Sequence, residues 1–328
     1  MSEQNKTEEP LYDSKFVRGF DFSNCGLEKV KNKQIKQLGQ KFIDNLELVT
    51  DLMALPHTLL SLEHAKLLLV PHEVLAAVKA RVQMNLNHAD DEQRDQYFYK
   101  ARKEVWDSKV LPQQEKMIDE AMTGGEETLA YRLKDIDYKG AYVTLLYSAV
   151  VWIWCSFELL MKELWELTIN TGGVHISKSL LKSQPHHDET MFPFRGKYIN
   201  LDYLAKYDLN LSNKLGTALL NKFDFTSPNG IKEAYSLAFS RSQNIKEALN
   251  NVIITELEAT RSVIVHNAGV IDEEYCKKTN TDKAQINNKL NINSRRVCEF
   301  VDCALNVGLR TMMATSSILS QAKSSKRK

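Results

Sequence analysis

Glu258-Ala-Thr-Arg-Ser-Val-Ile-Val-His-Asn-Ala-Gly-Val-Ile-Asp272 is the stretch that settles the class of the chain, because it sets strand-like residues inside a helical period. Val263, Ile264 and Val265 are β-branched and suit a strand. Upstream, however, Ile245, Leu249, Val252, Ile253 and Leu257 recur at helical steps and mark one apolar face that runs towards Arg261. Gly269 follows closely enough to close such a helix with a left-handed residue. The stretch is therefore read as the end of a helix over 244–265. No other segment shows period-two alternation bounded by turns, so the fold expected is all-α. Arg261 and His266 then lie about 140° apart around an ideal helix, so one helix does not aim both at one target and a second helix end must complete any site.

Composition narrows the function classes. With 328 residues, 43% of them hydrophobic, the chain can bury a substantial core, and its length suits two structural units or one large one. A net charge of +1 argues against coating nucleic acid by bulk electrostatics and leaves room for a local basic site. Cys25, Cys155, Cys276, Cys298 and Cys303 are odd in number and scattered, with no C-x-x-C pair. They fit neither a disulfide framework nor a zinc ribbon and point to reduced thiols in the cytoplasm. Residues 1–10 are polar and acidic, unlike a signal peptide. Ala141 to Phe157 is uncharged and apolar, but it is shorter than the roughly 20 residues a spanning helix needs. Glu158, Lys162 and Glu163 follow at once, so the segment reads as a buried core helix and no membrane partner is expected.

Residues 1–26, interrupted by Pro10, Gly19 and Gly26, read as a flexible N-terminal arm. From 27 to 136 the periods are helical. An amphipathic helix runs from Glu28 to Met53 and Pro56 ends it; a second runs from His57 to Val70; Pro71 opens a third that reaches Asn87. A fourth covers Asp91 to Val110, and after Pro112 a further helix stops at Gly124-Gly125. Charges of both signs are interspersed along these helices, which suits solvated faces. Residues 137–321 form the second region. Its central helix reaches Asn170 and carries Leu146, Val150, Ile153, Phe157, Leu160 and Leu164 in a broad apolar stripe. A long irregular insertion follows to about Asn200. Ser212 or Asn213 caps a short helix, Pro228-Asn-Gly230 is a turn, and Ile231 to Phe239 is helical again. After the motif helix, Ser294 caps a closing helix that reaches about Leu319, and 322–328 form a loose basic tail.

The arrangement Arg261-Ser-Val-Ile-Val-His266-Asn267 resembles the signature of the HEPN superfamily, R-x(4-6)-H, often with Asn after the His. The resemblance extends into Gly269-Val-Ile-Asp272 and Tyr275, more loosely back to the apolar helix bearing Glu158, and covers only the C-terminal part from residue 137 on. It implies a helical bundle and a metal-independent endoribonuclease, in a defence, toxin or stress-response setting, that cuts RNA by 2′-hydroxyl attack. It also implies a homodimer in which two such helix ends meet. Arg261 and His266 would then be the catalytic pair, with Asn267, Ser262 and Glu158 supporting them, and neither cofactor nor metal would be needed. The family commonly has Asn, Asp or His after the Arg, and Ser262 departs from that pattern. This leaves open a catalytically inactive HEPN-like module that binds nucleotide or RNA, or serves for dimerisation. A third reading is a helical scaffold whose N-terminal region binds a regulatory protein.

Taken alone, the residue types also carry this chemistry. An imidazole exchanges a proton near neutrality, and a guanidinium fork fits a phosphate and stabilises the charge that builds on its oxygens. A purely structural arrangement is open as well: His266 and Asn267 bond the last free carbonyls of the helix, and Arg261 pairs with Glu258. Glu158, inside the most apolar helix, needs a partner, and both Arg261 and Lys162, one turn on, qualify. His175, His186, His187 and Asp188 lack the spacing of metal ligands. There is no Walker-type phosphate loop and no G-x-S-x-G elbow.

Overall fold

The computed structural model describes residues 11, 20–86, 91–172, 206 and 210–325, and these residues are all-α. The helices are α1 (Lys33–Leu86), α2 (Asp91–Val105), α3 (Gln114–Arg132), α4 (Ile136–Gly172), α5 (Leu215–Leu219), α6 (Pro228–Ala238), α7 (Gln243–Leu249), α8 (Val252–Asn267), α9 (Glu273–Thr279) and α10 (Ser294–Ser325). Among the described residues the one trace of β pairing is an isolated antiparallel bridge, Val270 with Lys289. The chain divides into two compact units, one containing Asp51–Thr144 and the other Phe20–Thr50 with Leu145–Lys328. The divisions fall inside α1 and α4, whereas the sequence grouped 27–136 together.

In the Asp51–Thr144 unit, α1 continues through Pro56 and Pro71, which the sequence reading took as a helix end and a helix start. A proline inside a helix costs about 3 kcal/mol. Long runs of Leu, Ala, Glu and Lys, and the burial of Met53, Ala54 and His57 around the first of them, offset that cost. Gly124 and Gly125 likewise sit inside α3 and do not end it. They are small because α1 passes close by. A Cβ on Gly124 would come within 2.6 Å of His64 Nδ1, and one on Gly125 within 2.9 Å of the Ser61 backbone nitrogen. Polar contacts close the same seam: His57 Nε2 meets the Met122 carbonyl at 3.1 Å, and His64 Nε2 meets Thr128 Oγ1 at 2.8 Å.

In the other unit, α4 supplies the centre of the core. Ile153, Trp154, Phe157, Leu164 and Trp165 are fully buried, as are Val297, Val301, Ala304 and Met312 of α10. By length and composition α4 alone among the described helices could cross a membrane. Two hydrogen bonds fasten it to α6: Trp165 Nε1 donates to the Ala234 carbonyl at 3.0 Å, and the Tyr235 hydroxyl donates to the Met161 carbonyl at 2.8 Å. Pro228-Asn-Gly230, expected as a turn, is the first turn of α6, because Ser227 accepts from the Gly230 N–H and Pro228 suits a first helical position. The end of the expected N-terminal arm also belongs to this core, with Phe22 buried. Residues 1–10 and 12–19 of the arm, the insertion expected to about Asn200 with His175, His186, His187 and Asp188, and residues 326–328 lie outside the described residues.

Candidate functional site

The helix expected over 244–265 is two helices. Asn251 interrupts it by adopting an extended backbone and accepting from the Ile253 N–H at 2.9 Å, which caps α8. Ile254, Leu257 and Val263 then face the core, with α8 packed against α9 and α10. At the other end Ala268 and Gly269 both take left-handed conformations, with φ of 49° and 77°. Gly269 donates to the Val263 carbonyl at 3.0 Å, Val270 donates to the Asn267 carbonyl at 2.9 Å, and Lys289 Nζ donates to the carbonyl of the cap residue Ala268 at 2.7 Å.

The segment beyond is fixed from several sides. Leu290 N–H donates to the Gly269 carbonyl at 2.8 Å, and Ile271 exchanges hydrogen bonds with Asn288 and Asn287. Ile271, Cys276 and Leu290 form a small core under Tyr147, Ile264, Tyr275 and Ile286. Asp272 caps α9: one carboxylate oxygen accepts from the Tyr275 N–H at 2.7 Å and the other from Asn267 Nδ2 at 2.5 Å. Asn267 is thus joined to the next helix and does not bond its own helix end.

Arg261 does not pair with Glu258. Glu258 is buried and takes Lys278 from α9 at 3.0 Å, and Lys278 reaches Glu274 at 2.9 Å as well. The Lys278 ammonium is raised above its ordinary value. Partial burial opposes that rise, and the Glu274 and Glu258 carboxylates outweigh it. The guanidinium of Arg261 acts instead on α4. Burial raises the Glu158 carboxyl, and the charge of Arg261 is the strongest influence that lowers it, ahead of the Trp154 indole and Lys162. The Trp154 N–H points its dipole at that carboxyl without the geometry of a full hydrogen bond. Cys155, one turn earlier and exposed, also feels both charges: partial burial of the sulfur and Glu158 raise its thiol, and Arg261 opposes them.

Arg261 is half-buried, and its Nε is buried with no hydrogen-bond partner. Ser262 is half-buried next to it, and His266 is exposed on the last turn of α8. Of the residues singled out in the sequence, the structure brings Arg261 and Glu158 into electrostatic range. It leaves His266 on a different face of α8, about 140° round the helix from Arg261. Lys278, Lys289, Tyr147 and Cys155 were not legible as members of this neighbourhood, since each arrives from a distant element without a local motif. A groove of about 840 Å³ in the same unit, lined in part by Gln37, Leu38, Lys41, Glu163, Glu166 and Leu167, contains none of the candidate residues. Compared with protein families, with curated proteins and with solved structures, the chain matches none.

Proposed function

We propose that the unit containing α8 is a metal-independent endoribonuclease that acts as a homodimer. One observation carries the reading: a half-buried guanidinium within electrostatic range of a partly buried carboxylate keeps a buried Nε donor without an acceptor, five residues along α8 from an exposed imidazole. A buried donor left unpaired costs about 1–3 kcal/mol, so no hydrogen bond of the Nε ties Arg261 to the fold, and its guanidinium fork suits a phosphate. In this reading Arg261 grips the scissile phosphate and Glu158 orients Arg261 without moving a proton. An imidazole removes the 2′-hydroxyl proton; the 2′-oxygen then bonds to phosphorus as the bond to the 5′-oxygen breaks. A second imidazole protonates that oxygen, leaving a 2′,3′-cyclic phosphate and a 5′-hydroxyl. A two-fold axis near His266 supplies both imidazoles from one patch, and Val265, 48% exposed on the same turn, is the apolar contact available to such a pair.

The test is cleavage of mixed RNA in excess EDTA. Wild-type protein is expected to cut, Arg261→Ala and His266→Ala to be inactive with unchanged helix content, and a mixture of the two variants to stay inactive, because their heterodimer holds a single imidazole. RNA left intact by folded wild-type protein would instead favour an inactive nucleotide- or RNA-binding module. That second reading draws on Asn267 being committed to Asp272 and on the divergence of Arg261 from His266.

A further inference from the structure

Within the Asp51–Thr144 unit, α1 has two faces of different make. The face against α3 is built from small and polar residues, Ala54, His57, Ser61 and His64, which meet Met122, Gly124, Gly125 and Thr128. The opposite face carries Leu55, Leu59, Leu62, Leu67, Val70 and Val74, all between 45% and 66% exposed. Packing against α3 therefore uses the small and polar residues of α1 and leaves these six large ones in water. Soluble monomers rarely leave a contiguous apolar patch beyond a few hundred Å², and these six side chains expose on the order of 550 Å².

The order of these residues says what covers them. From Leu55 to Val74 the steps are four, three, five, three and four, the same in both directions, with the midpoint between His64 and Ala65; Leu52 and Val78, 45% and 55% exposed, extend the apolar residues beyond that symmetric stretch. Glu63 and Lys66 stand on either side of that midpoint, paired with each other at 2.7 Å and about two-thirds exposed. A parallel partner in register would set Glu63 beside Glu63 and Lys66 beside Lys66, like charge against like. An antiparallel copy on a two-fold axis at the midpoint sets each residue beside its mirror position: Leu59 beside Val70, Leu55 beside Val74, and Glu63 beside Lys66. Apolar thus meets apolar, and acid meets base.

We propose that this face is a self-association surface on which a second copy of the chain docks its own α1 antiparallel. The six side chains of both copies together cover about 1,100 Å², which clears the roughly 1,000 Å² expected of a specific interface. The surface belongs to the Asp51–Thr144 unit and does not rest on the nuclease reading.

The test is the mass of the full-length chain in solution by sedimentation. Leu59→Glu is expected to lower it by one doubling. Glu63→Lys and Lys66→Glu each set like charges across the axis and are expected to weaken self-association about tenfold at low salt. An equimolar mixture of the two regains wild-type affinity, because opposite charges then face each other. Both positions are open to solvent, so these variants keep the fold even if Leu59→Glu does not, which circular dichroism checks. Charge variants that associate like wild type, or a mixture no tighter than either alone, would overturn the proposal. A wild-type oligomer unchanged by Leu59→Glu would also overturn it and leave the Arg261 reading standing, whereas intact RNA with a Leu59-dependent mass would do the reverse.

Discussion

The ring of Tyr147 lies over Gly269, so close that a Cβ built on the glycine would come within 2.7 Å of the ring carbon Cε2. The Tyr147 hydroxyl donates to the Leu290 carbonyl at 2.6 Å, and that residue's own N–H donates to Gly269. One tyrosine of α4 thereby fixes the chain just after His266. Burial raises its phenol above the ordinary value of 10.0, consistent with a ring held against its surroundings.

Gly269→Ala is expected to lose about 2–3 kcal/mol, since a left-handed residue with a Cβ costs about 1 kcal/mol and overpacking about 1–3. Tyr147→Phe, which removes the hydrogen bond and keeps the ring, is expected to lose about 1 kcal/mol. Urea unfolding measures both. A Gly269→Ala chain as stable as wild type would show that Tyr147 yields and does not fix the helix end.

Glu158 makes stability fall with pH. Its folded carboxyl is raised above 4.5, first by burial, so the folded protein holds the proton longer than the unfolded chain. Between the unfolded value and the raised folded value the native state binds more protons, so stability declines as pH rises through that window and the loss is complete above it. Glu158→Gln removes this loss. Its melting temperature is expected to gain on wild type as pH rises from 4 through that window, while cleavage of RNA falls because Arg261 loses its orienting partner. Parallel pH profiles for the two proteins would sink the argument.

Breaking the Glu258–Lys278 pair is a test of where Glu258 spends its charge. Lys278→Met leaves a buried carboxylate alone and is expected to cost about 2–3 kcal/mol at neutral pH. The Lys278 ammonium is raised above 10.5, so its contribution is complete below that value and is lost as pH rises through the higher folded value. The gap between variant and wild type should therefore close in strong alkali. If Arg261→Ala costs as much stability as Lys278→Met, Arg261 holds the fold and its proposed role in binding phosphate loses its basis.

Two glycines in the Asp51–Thr144 unit should respond with opposite signs. Gly125→Ala forces its Cβ against the Ser61 backbone and is expected to destabilise by about 1–3 kcal/mol, whereas Gly140, in α4, has no atom within 4 Å of the added Cβ. Gly140→Ala is expected to stabilise by about 0.5–1 kcal/mol through helix propensity alone. Thermal melts of the two variants decide whether α1 and α3 are in contact at Gly125.

The helical class, the course of α4 and α10, and a left-handed close of α8 at Gly269 were legible in the sequence, because hydrophobic period and glycine closure are written in neighbouring residues, whereas the left-handed Ala268 was not. The sequence also singled out Arg261, His266 and Glu158, since a charge on an apolar face is visible without coordinates. Tertiary structure alone decided whether Pro56 and Pro71 break a helix, whether Gly124-Gly125 end one, and where α8 begins. A local rule states only what such residues cost, and packing elsewhere decides whether the cost is met. It decided the ion partners too: Glu258 finds Lys278 twenty positions away, and Arg261 acts on Glu158 from another helix. Those pairings follow from how α4, α8 and α9 pack, and a Coulomb interaction depends on distance in space, which spacing along the chain does not encode.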